Sequence, residues 1–126
     1  MLRVLCVDDE KLILRQIADL CRKIPEISET QSFDRAGKAL SWLGDHPCDL
    51  ALLDINMPDM DGLTLARKIQ EIRPGTHIVF VTGYPQYAAD SWRIHPAGYL
   101  LKPVAQKDLQ GQVDYILSLH SSCRQA

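Results

Sequence analysis

The sequence predicts an α/β domain with a doubly wound, five-stranded parallel sheet and helices on both faces. Two observations carry this. Short apolar, β-branched runs alternate with amphipathic helical stretches along the whole chain. Polar residues then sit just past four of these runs: Asp8 and Asp9 after LRVLCV, Asp54 after LALL, Thr82 after HIVFV and Lys102 after GYLL. Open α/β sheets gather their ligand sites at that carboxyl edge.

The first run, Leu2 to Val7, suits a strand buried on both faces. Ile13, Ile17, Leu20 and Ile24 recur at helical spacing, and Pro25 ends that helix. Ile27 to Phe33 alternates loosely and reads as an edge strand. Asp34 is placed to cap a helix carrying Ala36, Ala39, Leu40 and Leu43, which Gly44 to Pro47 stops. Leu50 to Leu53 is the third strand, and Asn56 to Gly62 is a loop rich in Asn, Pro, Asp and Gly. A helix with Leu65, Ile69 and Ile72 on one stripe ends near Pro74 and Gly75. Ile78 to Val81 is the fourth strand, Tyr84 to Trp92 a short helix, and Tyr99 to Leu101 the fifth strand. The last helix carries Leu109, Val113, Ile116 and Leu117.

A length of 126 residues fits one domain over 1–126, with a tail from about residue 121 read as a linker to an absent output domain. A net charge of -2 gives no basic footprint for nucleic acid, so DNA contact is expected only through such an output domain. No apolar stretch approaches the roughly 18 residues of a membrane span. The opening MLRVLCV runs straight into a strand pattern instead of a signal peptide, so a cytoplasmic protein without a membrane partner is expected. Cys6, Cys21, Cys48 and Cys123 form no C-x-x-C pair and read as buried, reduced thiols. The histidines lie singly, without metal-ligand spacing.

Asp54 is the candidate nucleophile, because a strand-end carboxylate can accept a phosphoryl group as an acyl phosphate. The incoming group is anionic, and Asp8, Asp9 and Asp54 repel both it and one another. A hard divalent cation resolves both conflicts. Mg²⁺, with Mn²⁺ as a substitute, takes oxygen ligands and keeps several waters. Asp9 and Asp54 would bind it directly, Asp8 directly or through water, and the Asn56 main-chain carbonyl would complete the protein ligands. Lys102 supplies a second positive charge, pairing with Asp54 before transfer and with a phosphoryl oxygen after it. Thr82 offers a hydroxyl to another phosphoryl oxygen, and Gly83 leaves room for the donor. Each residue alone has an ordinary reading as a turn, a strand end or a surface lysine. Their order across successive strands is what points to one site.

These motifs resemble the receiver (phosphoacceptor) domain of bacterial two-component response regulators: VDDE at Val7 to Glu10, LLDINMPDMDG at Leu52 to Gly62, VTG at Val81 to Gly83 and YLLKP at Tyr99 to Pro103. The resemblance implies strand order 2-1-3-4-5 flanked by five helices, with the first and third strands adjacent. It implies Asp54 as phosphoacceptor, Asp8 and Asp9 as the acidic pair, Thr82 as switch hydroxyl, Lys102 as the essential lysine and Tyr99 as switch aromatic. A cis Lys102–Pro103 peptide is implied as well. The expected partner is a sensor histidine kinase, and the expected output is repacking of the fourth helix, fifth strand and fifth helix. That change would drive homodimerisation through Tyr84 to His95, or control a transcriptional output domain. GYPQYAADSW followed by YLLKP is similar to receivers joined to LytTR-type DNA-binding domains, although Gly98 stands where many of these carry an acid. Such a domain is a switch that assists only its own phosphorylation and dephosphorylation, not a metabolic enzyme.

Three rival readings compete. A haloacid-dehalogenase-type phosphatase also uses a strand-end Asp and Mg²⁺, but needs a second acid where this chain has Asn56. A nucleotide or flavin module needs a glycine-rich cradle after the first strand, where this chain has VDDEKL. The third is a receiver-shaped interaction module that takes no phosphate.

Overall fold

The computed structural model describes residues 2–83 and 96–125, with side chains described up to residue 119. The strands are β1 (Leu2–Val7), β2 (Ile27–Phe33), β3 (Leu50–Leu53), β4 (His77–Thr82) and β5 (Gly98–Leu101). The helices among the described residues are α1 (Lys11–Arg22), α2 (Ala36–Leu43), α3 (Gly62–Ile72) and α4 (Gln106–Gln125). All strand pairs are parallel, in the order β2-β1-β3-β4-β5. The order is the expected one. The helix count differs from the expected five: four are described, and the short helix read at Tyr84 to Trp92 lies outside the described residues.

Strand alternation divides the core in two. Leu2, Val4 and Cys6 of β1 face one side, with Leu14 and Ile17 of α1 and Leu109, Val113 and Ile116 of α4. Leu5 and Val7 face the other, with Ala36, Ala39 and Leu43 of α2 and Leu65, Ala66 and Ile69 of α3. β3 is buried along its whole length, as a central strand covered on both faces must be. Phe80 of β4 is fully buried, and truncating such a residue to Ala costs about 3–5 kcal/mol.

Several local expectations need correction. Asp34 does not cap α2: the N-cap position is Arg35, whose side chain makes no capping bond. Asp34 instead pairs with Lys38 at 3.3 Å, one helical turn on. Ile72 is 41% exposed, because α3 buries the stripe Gly62, Leu65, Ala66 and Ile69 and its last turn runs past the core. Ile24 lies beyond the end of α1 but is still buried, so the apolar period outlasts the helix. Leu117 is only partly buried. Cys6, Cys21 and Cys48 are buried and free of disulfides, as read; the Cys123 side chain lies outside the described ones. Among the described residues, no helix is long and apolar enough to cross a membrane.

Candidate functional site

The carboxyl edge of the sheet is built by extending the ladder one residue past each strand. The Asp54 N–H donates to the Val7 carbonyl at 3.0 Å and sets Asp54 beside Asp8. The Asp8 N–H donates to the Phe33 carbonyl at 3.2 Å, and the Lys102 N–H to the Thr82 carbonyl at 2.9 Å. Backbone pairing thus fixes three site residues before any side chain acts. The Lys102–Pro103 peptide is cis.

Asp8 and Asp54 are buried, at 2% and 5% exposure, while Asp9 is exposed. One carboxylate oxygen from each of the three lies within 4.8 Å of the others. Oxygens around one octahedral cation stand about 3–4 Å apart, so small side-chain rotations would close the set on an ion. Asp8 Oδ1 accepts from the Glu10 N–H at 2.9 Å. Its Oδ2 is enclosed and meets no aligned hydrogen-bond donor. The Lys102 ammonium stands 2.6 Å from that oxygen as an ion pair, and 3.5 Å from Asp54 Oδ2. A buried carboxylate oxygen held only by an ion pair is a fitting ligand for a hard cation. Lys102, expected to pair with Asp54, stands within ion-pair distance of it and nearer still to Asp8.

Burial, then repulsion from Asp8, pushes the Asp54 carboxyl up to about 6, against the pull of Lys102 and a hydrogen bond from the Asn56 N–H. Burial also works against the Lys102 ammonium, but Asp8 and Asp54 outweigh it and hold its pKa above the ordinary lysine value. A cleft of about 380 Å³ opens over the group, lined by Asp9, Glu10, Asp54, Asn56, Gly83 and Lys102. Thr82 is fully buried at the end of β4, next to Gly83. A Cβ at Gly83 would meet nothing within 4 Å, so the protein itself does not demand glycine there. Tyr99 is partly buried and packs on Phe80, ring centroids 6.4 Å apart. The structure therefore brings Asp8, Asp9, Asp54, Asn56 and Lys102 together, with Thr82 and Tyr99 on the two strands behind them.

Three contributors were missed from sequence. Glu10 lines the cleft and gives its N–H to Asp8. Gly62 lies so close to the Asp54 carbonyl and Ile55 Cα that a Cβ would overlap both, while its N–H closes the loop on the Ile55 carbonyl at 2.7 Å. Asp59, in the same loop, accepts from the Ala36 N–H at 3.0 Å and caps α2 from 23 residues away. Glycine after an acid at a helix start was a readable signal for Gly62. Nothing in the sequence distinguished Asp59 from its neighbouring acids.

A family model described as the response regulator receiver domain matches residues 4–114. The sensory transduction protein LytT of Enterococcus faecalis is 31% identical over 108 residues, covering 86% of this chain and 45% of that protein. The transcriptional regulatory protein LytR of Staphylococcus aureus is 29% identical over 115 residues, covering 91% and 47%. The chain thus spans just under half the length of these curated relatives. Among solved structures, a CheY-like receiver domain protein of Methanospirillum hungatei matches with TM-score 0.86 and 31% identity, over 97% of this chain and 98% of that one. The response regulator TrrA of Thermotoga maritima, solved in complex with Mg²⁺ and BeF, matches with TM-score 0.82 and 27% identity over 92% and 99%. With the fold, the acidic cluster and these matches in agreement, the chain belongs to the response regulator receiver domain family.

Proposed function

We propose that this chain is a phosphorylation-dependent switch that accepts a phosphoryl group on Asp54 from a sensor histidine kinase. The observation that carries the reading is the cluster itself. Asp8, Asp9 and Asp54 can converge on one cation, and Lys102 stands between Asp8 and Asp54. The Asp54 carboxyl, near 6, is more basic than a solvated aspartate yet mainly ionised at neutral pH, which suits a nucleophile.

Asp8, Asp9, Asp54 and the Asn56 carbonyl would hold Mg²⁺, or Mn²⁺ in its place. The bound cation would supply positive charge to the transferring phosphoryl oxygens. An Asp54 carboxylate oxygen forms the new P–O bond as the donor's P–N bond breaks, and the departing histidine takes up a proton. Lys102 balances charge on one phosphoryl oxygen, and the Thr82 hydroxyl donates to another. Tyr99 follows Thr82 and alters the face formed by β5 and α4. Leu101 and Tyr115 leave apolar surface on β5 and α4, at 50% and 49% exposure. The segment Tyr84 to His95, read as the self-association surface, lies outside the described residues. The output is dimerisation, or control of a DNA-binding partner domain of the kind the name of the LytR relative suggests.

Asn56 sits where a dehalogenase-type phosphatase needs an acid, which argues against turnover of external phosphomonoesters. The test is intact-mass spectrometry after incubation with acetyl phosphate and Mg²⁺. One phosphoryl adduct, lost with EDTA, supports the switch. No adduct, even with an active histidine kinase, would favour the phosphate-independent module. Sedimentation with and without beryllofluoride tests dimerisation, and an unchanged monomer would remove that output.

A further inference from the structure

We propose that Asp59 is a positioning residue that ties the cation-binding loop to the start of α2. The proposal rests on the reading that the Asn56 carbonyl serves the cation.

The first turn of α2 has free N–H groups and no cap of its own, since the Arg35 side chain makes no capping bond and Asp34 is engaged with Lys38. Asp59 Oδ2 takes this place, accepting from the Ala36 N–H at 3.0 Å and the Gly37 N–H at 3.4 Å. A carboxylate there also faces the positive end of the helix. Asp59 belongs to the loop that leaves β3 at Asp54 and enters α3 at Gly62. That loop is clasped at its base by the Gly62 N–H on the Ile55 carbonyl, 2.7 Å. Its far end is held where Asp61 caps α3 through the Thr64 N–H, 2.8 Å. Between these points Met57 is buried, and Asn56 faces the cleft. Asp59 is the third anchor, and it reaches the neighbouring helix α2, which packs beside α3 on the same face of the sheet.

The tether closes a circuit. Asp8 is fastened to Phe33 at the end of β2, and α2 begins three residues later. Asp59 fastens that beginning back to the loop that follows Asp54. Both sides of the acidic cluster therefore bear on one helix start. Releasing Asp59 frees the loop around Asn56, so its carbonyl must be ordered at the moment the cation binds. Affinity falls, although no ligand has been removed.

The test uses Mn²⁺ titration by electron paramagnetic resonance, with thermal melts run alongside. Asp59→Ala is expected to weaken Mn²⁺ binding by about tenfold, the low end for a group that supports a metal ligand through its neighbours. Asp59→Asn, which keeps an acceptor oxygen but loses the charge, should stay within about twofold of the native chain. The deciding variant is Asp59→Ala with Arg35→Ser, which gives α2 a local cap. Recovered melting temperature with affinity still weak supports the tether. Recovery of both overturns it and leaves Asp59 a helix cap only. Loss in Asp59→Asn equal to that in Asp59→Ala overturns it in favour of plain charge. Equal binding by the native chain and Asp59→Ala overturns this inference alone, whereas no Mn²⁺ binding by the native chain overturns the proposed function as well.

Discussion

Asp54→Asn should stabilise the cation-free protein. The Asp54 carboxyl is raised from an ordinary 3.8 to about 6, chiefly by burial and the nearby Asp8 charge. That is roughly two units, each worth about 1.36 kcal/mol, so ionised Asp54 costs the folded state about 3 kcal/mol. The attraction of Lys102 is already inside that shift. The sign follows from the raised folded value: the penalty is complete above about 6, shrinks as pH falls, and vanishes below the unfolded value near 3.8. Asparagine has nearly the same shape and keeps an oxygen for the Asn56 N–H. In EDTA at pH 7.5, urea unfolding should show a gain approaching 3 kcal/mol, shrinking to under about 1 kcal/mol at pH 4. An Asn variant no more stable than the native chain at pH 7.5, or one whose gain persists unchanged at pH 4, would refute the electrostatic account of the site.

Other expectations follow from named contacts. Gly62→Ala drives a Cβ into the Asp54 carbonyl and Ile55 Cα, so it should destabilise by about 1–3 kcal/mol, read as a lower urea midpoint at unchanged slope. Lys102→Met removes the ammonium 3.5 Å from Asp54, so the Asp54 carboxyl should titrate higher than about 6 in an NMR pH series; an unmoved value would contradict the pairing. Mg²⁺ at about 100 times its dissociation constant should add about 2.7 kcal/mol to unfolding, with EDTA reversing it and Asp9→Asn losing most of the gain. Asp61→Ala should cost about 1 kcal/mol through the lost cap on Thr64, and Asp61→Asn much less, checked by thermal melts.

The sequence was most readable where burial dictates composition. β1 and β3 have the bounds expected, since central strands of a covered sheet must be apolar runs closed by polar residues. β2 has them because the loose alternation of Ile27 to Phe33 marks a half-exposed edge strand. Asp8, Asp9, Asp54 and Lys102 were legible because parallel strands deliver their following residues to one edge. What could not be read depends on contacts between distant segments. The cap of α2 comes from Asp59, and local pattern favoured Asp34, which stands closer in the chain and carries the right side chain. Ile72 kept the α3 period but falls past the end of the core. The preference of Lys102 for Asp8 over Asp54 turns on a difference of 0.9 Å, between contacts of 2.6 and 3.5 Å, that no spacing encodes.

The central claim is that Asp54 carries the phosphoryl group. The most direct measurement is to treat the chain with acetyl phosphate and Mg²⁺, reduce it with borohydride and map the peptides. An aspartyl phosphate is reduced to homoserine, so the account predicts homoserine at position 54 and nowhere else, absent when EDTA is present. Homoserine at Asp8 or Asp9, or an adduct that survives Asp54→Asn, would contradict it.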